Sequence, residues 1–297
     1  MSVGETITYH ALRLARTVIL HLPPGTAATA GERLGALLYS RFPVRKQEAL
    51  KHLSLAFPHR NRAYRLRLLK KVYVHFGQMV VDLLRLEAMD LDHDIVVENL
   101  SCLEGALKEN KGVILLSGHL GNWELIPAWC VQHGYPLYPV VKRQKNDGAN
   151  RFLMDLRKRS GSVPVYRNSS SHYMIQVLRK RHILALASDQ HAPKGGIPAV
   201  FFGSPASTAR GLAIFHRRTG APLIMAYCLR AGKGTYHLKF QDVPLDPNGT
   251  ESVAAITQRF TSLLEEEIRL FPEQYFWFHR RWKPSPEKKL STYGSHL

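Results

Sequence analysis

The chain has 297 residues, 45% of them hydrophobic, which is enough to bury a sizeable core and excludes a disordered polymer. Its 41 Lys and Arg against 23 Asp and Glu leave a formal charge of +18. Such an excess predicts an acidic partner, whether nucleic acid, an anionic membrane surface or an acidic protein, and says nothing about fold. The three cysteines, Cys102, Cys130 and Cys228, are odd in number and form no CxxC pair. That usage fits a reducing compartment and argues against a thiolate zinc site.

The opening MSVGETITYHALRLARTVILHLPPG has a glutamate before its basic residues and no small-residue cleavage site, so it does not read as a secretory signal. Its apolar part is cut by Arg13 and Arg16 and stopped at Pro23-Pro24, whereas a membrane span needs about 20 apolar residues. On a helix, Leu12, Ala15, Ile19 and Leu22 share one face and Arg13 lies off it. Such a helix either packs on a core or lies in a membrane interface, and the charge excess favours the interface. GERLGALLYSRF, RKQEALKHLSLAF and the long run from Arg60 to Met89 keep helical spacing. Ten Lys or Arg against Glu48 alone between Arg41 and Lys71 mark this region as one that meets negative charge. Residues 1–92 are therefore expected to form a helical, membrane-associating region.

From residue 93 the pattern changes. DIVVENL, GVILLSG, LYPVV, ILALASD, PLIMAYCLR and YHLKFQDV read as strands. NWELIPAWCVQHG, GANRFLMDLRKRSG, SHYMIQVLRKR and ARGLAIFHRRTG read as helices between them, and SVAAITQRFTSLLEEEIRLFPEQ as a closing helix. This alternation predicts an α/β domain over 93–297, with a mixed, largely parallel sheet flanked by helices and continuous with the helical region.

The informative stretch is VILLSGHLGNWEL, residues 113–125. Val113–Ser117 reads as a buried strand, Gly118 and Gly121 permit a sharp turn, and a helix is expected to start near Asn122. His119 then sits where a strand ends and a helix begins, the usual place for a site in an α/β sheet. On a continuous helix a five-residue separation turns His119 and Glu124 roughly 140° apart. The irregular turn removes that obstacle and lets Glu124 orient the ring. An imidazole so held can take a proton from a hydroxyl, and the amides at the helix start can receive an anion. A surface histidine before a capped helix is the plainer alternative. No HExxH motif supports a metal.

Several segments resemble the lipid A secondary acyltransferase branch of the lysophospholipid acyltransferase superfamily. HLGNWE is similar to its His-x4-acid motif. SLAFP at 54–58, VVKRQKN at 140–146, the block from Ser188 to Pro222 beginning SDQH, and YFWFHRRWK at 275–283 resemble further family blocks in the same order, over about residues 40–283. Asp147 stands where the family often has proline, so the family arginine aligns with Arg143 or with Lys142. Many members also begin with a membrane-spanning helix, where this chain has the shorter amphipathic stretch.

The resemblance implies a glycerolipid acyltransferase-like fold and transfer of a fatty acyl chain from acyl carrier protein or coenzyme A to a hydroxyl of a lipid A precursor. It implies His119 as general base, Glu124 as its orienting group, and Arg143 or Lys142 as a contact for an anionic part of a substrate. Asp189 and Gln190 match an Asp-Gln pair that shapes the site or touches substrate. In HRRW, Trp282 is read as structural, while Arg280 and Arg281 are left open between substrate and structure. No cofactor or metal is expected, and direct attack implies no acyl-enzyme. The expected location is the cytoplasmic face of the cell inner membrane, peripheral or monotopic. A second basic region from Lys142 to Arg181, including Arg157, Lys158 and Arg159, is read as a docking surface for the acidic carrier or as a face for lipid phosphates. A lysophospholipid or other glycolipid acceptor is the nearest alternative. A non-catalytic basic protein on membrane or nucleic acid is a different one, and no nucleic-acid motif supports the latter.

Overall fold

The computed structural model describes residues 1–193, 195–246 and 248–283. Lys194, inside the block that begins SDQH, and residues 284–297 of the expected α/β region lie outside the described residues. Four long helices come first: α1 (Val3–Leu20), α2 (Pro24–Arg41), α3 (Lys46–Ala56) and α4 (Arg62–Arg85). Ser2 and Glu5 close a reciprocal capping box on α1, Pro24 starts α2, and Asn61 caps α4. A short α5 (Leu91–Asp94) leads into the sheet region.

There the chain runs β1 (Ile95–Glu98), α6 (Leu100–Lys108), β2 (Val113–Ser117), α7 (Leu125–Gln132), β3 (Leu137–Val141), α8 (Asp147–Arg159) and β4 (Val165–Tyr166). It continues through α9 (Ser171–Arg179), β5 (Ile183–Ala187), β6 (Ile197–Phe201), β7 (Ser204–Thr208) and α10 (Gly211–Thr219). It ends with β8 (Leu223–Arg230), β9 (Tyr236–Asp242) and α11 (Val253–Leu270). The seven-stranded sheet has the order β1-β9-β8-β2-β5-β3-β4. Every neighbouring pair in it is parallel except β8–β9. The mixed, largely parallel sheet read from the sequence is the one observed. The two-residue β4 and the separate β6–β7 hairpin were not expected. The hairpin carries Pro198 and Pro205, which weaken a strand signal.

Alternation along β2 divides the core. Ile114 and Leu116 join a cluster with residues of α3, α4, α9, α10 and α11, while Val113 and Leu115 join one with α6 and α7. The sheet is thus covered on both faces, which suits the unbroken apolar runs of β2 and β8. Because α3 and α4 contribute Leu53, Leu69 and Tyr73 to the first cluster, the helical region is part of the same core.

Helix α1 departs from expectation. Leu12 and Ile19, on the face read as membrane-seeking, pack with Tyr9 against Phe152 and Leu156 of α8 and Leu83 and Leu84 of α4. Ala15 is exposed and Leu22 half-buried. The outward apolar stripe is instead Val3, Ile7, Leu14 and Val18, each more than half exposed. Their spacing of four, seven and four keeps them within about 60° of one helical face. The α8 helix, which the sequence could not place, decides which stripe is covered. Among the described residues no helix is long and apolar enough to cross a membrane.

Helices α2 and α4 cross with their backbones in contact. A Cβ on Gly77 would stand 2.4 Å from the Gly31 carbonyl oxygen and 2.8 Å from the Gly35 Cα. Gly77→Ala therefore forces the helices apart, and is expected to destabilise the protein by about 1–3 kcal/mol, read as a lower melting temperature. An unchanged melting temperature would show that the crossing is looser than this.

Candidate active site

Strands β2 and β5 run parallel in a register that pairs Ser117 with Ala187. Two residues beyond each lie His119 and Asp189, so the chain delivers both to the same carboxyl edge of the sheet. There the His119 ring Nδ1 lies 2.7 Å from Asp189 Oδ1, and the His119 backbone N–H donates to Oδ2 at 3.0 Å. The Gln190 amide nitrogen lies 3.1 Å from His119 Nε2. It can donate only to a bare ring nitrogen, so a ring protonated on Nδ1, facing Asp189, satisfies both contacts. Nε2 then holds the lone pair on the site side.

Asp189 is 3% exposed. Burial works against its charge, but the His119 ring and amide, with Arg281 nearby, hold its pKa at about 2. Burial likewise disfavours a charged His119, yet the Asp189 carboxylate outweighs it, with a smaller push from Glu124, and the ring's pKa is raised. Tyr275 is buried close to Asp189, and burial first and the Asp189 charge second push its phenol pKa up. Arg281 is buried, donating to the Ser207 carbonyl at 2.7 Å and to Thr208 Oγ1 at 2.6 Å on β7.

The turn that carries His119 is held from every side. Gly121 has φ +66° and no room for a Cβ, which would meet the Cys228 carbonyl oxygen at 2.1 Å. Its N–H donates to the Gln274 carbonyl at 3.0 Å, and its carbonyl lies 3.3 Å from His75 Nε2. The Asn122 N–H donates to the Cys228 carbonyl at 2.7 Å, and the Phe276 N–H to the His119 carbonyl at 2.9 Å. Asn122 is fully buried beside Tyr236 and caps nothing, so α7 starts at Leu125 rather than near Asn122.

The sequence reading places Glu124 on the imidazole; the hydrogen bond is made by Asp189. Both oxygens of Glu124 are taken by Arg157, from Nε at 3.0 Å and Nη2 at 2.6 Å. A forked guanidinium matches two carboxylate oxygens, and this pair is only 13% and 11% exposed. Arg157 thus points inward and leaves the expected docking surface to Lys158 and Arg159, which are exposed. Arg143 leaves β3 at the same sheet edge but is exposed and bonds Asp147 at 2.9 Å. Lys142 is exposed as well, and among the described residues neither hydrogen-bonds His119. Arg280 is exposed and pairs with Glu48 at 3.4 Å, while Trp282 stacks on Phe201 with centroids 5.4 Å apart.

Three half-buried aromatics were missed as site residues. Trp123 meets the His119 ring edge-on at 4.7 Å, Phe276 lies 6.1 Å from it, and Phe76 of α4 packs on Phe276 at 5.5 Å. They form an apolar wall beside the His119 ring. Trp123 and Phe276 stand in the quoted motifs HLGNWE and YFWFHRRWK, whereas Phe76 was marked only by its place in the amphipathic run from Arg60 to Met89. Cys130 is fully buried and its thiol is pushed up to about 12, which makes it a poor nucleophile.

A family model described as bacterial lipid A biosynthesis acyltransferase matches residues 5–284. The chain belongs to that family. A lipid A biosynthesis palmitoleoyltransferase of Escherichia coli K12 is 26% identical over 288 residues, covering 92% of this chain and 90% of that protein. A lipid A biosynthesis lauroyltransferase of the same organism is 32% identical over 126 residues, 40% of each chain. A phosphatidylinositol mannoside acyltransferase of Mycobacterium tuberculosis H37Rv is 26% identical over 193 residues, 64% of this chain. The match spans 60% of that mycobacterial protein's length.

The His119–Asp189 pair has a signature independent of activity. In NMR titration the His119 ring is expected to titrate above its ordinary 6.5. In Asp189→Asn only burial and the more distant Glu124 remain, so the midpoint should fall; in Glu124→Gln it should fall by less. Because the folded-state pKa is the raised one, the stabilisation from this ring is full below 6.5 and lost as pH rises through the folded value. An unchanged midpoint in Asp189→Asn would contradict the pairing.

Proposed function

We propose that the protein transfers a fatty acyl chain from an acyl thioester to a hydroxyl of a glycolipid, a lipid A precursor being the acceptor that family membership favours. The observation that carries this reading is the His119–Asp189 contact of 2.7 Å at the sheet's carboxyl edge, which favours a ring protonated on Nδ1 and leaves Nε2 as the accepting nitrogen. His119 Nε2 takes the proton from the acceptor hydroxyl, and its oxygen attacks the thioester carbon. The carbon–sulfur bond then breaks, and the leaving thiolate takes the proton back from the imidazolium. Asp189 stabilises the charged ring between these steps. The Gln190 amide, 3.1 Å from Nε2, yields that contact to the acceptor hydroxyl, and the Arg157–Glu124 pair adds fixed charge near the ring. The wall of Trp123, Phe76 and Phe276 suits an acyl chain. Acyl carrier protein and acyl coenzyme A are both donors of the required chemistry, and Lys158 and Arg159 suit the acidic carrier.

A phosphatidylinositol mannoside or other glycolipid acceptor is the second reading, favoured by the mycobacterial relative's name. We also propose that the protein associates with the anionic cytoplasmic face of the inner membrane, a reading supported by the exposed stripe of Val3, Ile7, Leu14 and Val18 on α1. The start of α1 is tied to the segment that follows β3, where Glu5 accepts the Asp147 N–H at 3.2 Å, and its apolar stripe stays exposed. Lys and Arg near an anionic surface contribute about 1 kcal/mol each.

With labelled thioester and lipid acceptor, His119→Ala is expected to lower turnover by roughly 100- to 10,000-fold while the protein stays folded. Near-normal transfer would remove His119 from the mechanism. Incubated with donor alone, the protein should keep its intact mass; a stable acyl adduct that passes its chain to lipid would establish a covalent route instead.

The protein should also sediment with anionic vesicles and be partly released by salt. Asp at both Leu14 and Val18 should weaken that binding without lowering the melting temperature, since neither side chain is buried. Binding that ignores both the substitutions and the salt would place the contact elsewhere.

A further inference from the structure

Behind the His119 turn lies a groove of about 440 Å³ between α4, the start of α2, the β8–β9 turn and the segment after α11. Two of its wall residues, His75 and Gln274, are those that hold the Gly121 carbonyl and N–H. The groove and the turn therefore share a wall. Three lysines line it: Lys70 and Lys71 from α4 and Lys233 from the β8–β9 turn. All three are exposed, and none makes an ion pair with a carboxylate of the described residues. The Arg230 guanidinium on the same wall is committed to Asp82 and Tyr236, so it does not serve as a fourth free cation. Glu32, Gln78 and Glu273 also line the groove, and Gln78 donates to Glu32 at 3.3 Å.

From this arrangement we infer that the groove binds the phosphorylated sugar headgroup of the acceptor. Three unpaired ammonium groups suit a phosphate. The carboxylates and the Gln78 carbonyl accept hydrogen bonds from sugar hydroxyls, which a groove for a bare anion would not need. A cavity of this volume admits a headgroup, and its wall is bonded to the turn that carries His119. Headgroup binding thereby selects acceptors that carry a phosphorylated sugar. The inference rests on the acyl-transfer reading for its acceptor, but the groove can be tested without it.

Two measurements decide the matter, on the full-length protein with Lys70→Ala, Lys71→Ala and Lys233→Ala combined, and with the same three changed to Arg. In a ³¹P NMR titration, glucosamine 1-phosphate should broaden on addition of the wild-type protein, lose that broadening with the Ala triple variant, and keep most of it with the Arg variant. No broadening by the wild type, or equal broadening by all three proteins, overturns the groove whatever the enzyme does. In the transfer assay, a lipid A precursor and its dephosphorylated form are compared with one donor. The Ala variant should raise KM for the phosphorylated acceptor by about tenfold or more, leaving kcat, the donor KM and the KM for the dephosphorylated acceptor unchanged. A rise in the donor KM, or equal rises for both acceptors, overturns the headgroup assignment. If the wild type transfers to neither acceptor while the phosphate signal behaves as expected, it is the acyl-transfer reading that fails.

Discussion

A buried carboxylate organises this molecule. Leaving Asp189 charged and away from water costs several kcal/mol unless its oxygens are answered. They are answered by the His119 ring and amide, with the Arg281 charge and the buried Tyr275 close by. His119 follows β2, whereas Tyr275 and Arg281 come from the segment after α11. Arg281 is itself buried and anchored on β7, so the compensation draws in the β6–β7 hairpin. The site holds its geometry because the sheet, the hairpin and the closing segment all meet at one charge.

A second ion pair ties the same region to the outer layer. Glu124, just before α7, is held by Arg157 near the end of α8, and α8 is braced along its length by α1. Tyr9 of α1 donates to Asp155 at 3.0 Å, and the α1 backbone lies so close to Gly148 that a Cβ there would meet the Glu5 carbonyl oxygen at 1.9 Å. At its other end Arg85 of α4 donates to the Ile19 carbonyl at 3.1 Å and to the Leu22 carbonyl. The first helix is thus a structural brace on its inner face and an unpartnered apolar stripe on its outer one.

Much of this was legible in the sequence because the relevant signals are local. Apolar runs such as Val113–Leu116 and Leu223–Leu229 announce strands, and glycines beside a histidine announce a turn at a sheet edge. What was not legible is relational. Glu124 is close to His119 in sequence, yet Asp189, 70 positions away, reaches the ring because β2 and β5 are neighbours in a fixed register. The two segments LLSGH and LASDQ contain that answer only once the strands are paired. The same limit explains α1: two apolar stripes were present, and periodicity alone cannot tell which one α8 would cover. Likewise Arg157 looked like one more member of a basic run, because its partner was invisible until α7 and α8 were packed.

The Gly121 turn has a further consequence. Its donor and acceptor are both used, its αL conformation excludes other residues, and there is no space for even one more carbon. A loop so confined cannot close over a substrate or adapt to one. The His119 ring is therefore held in place by the fold itself, and any adjustment around it falls to side chains such as Trp123 and Phe76. Rigidity and adaptability then reside in separate parts of the molecule, the first in the backbone contacts of the turn and the second in the side chains that surround it.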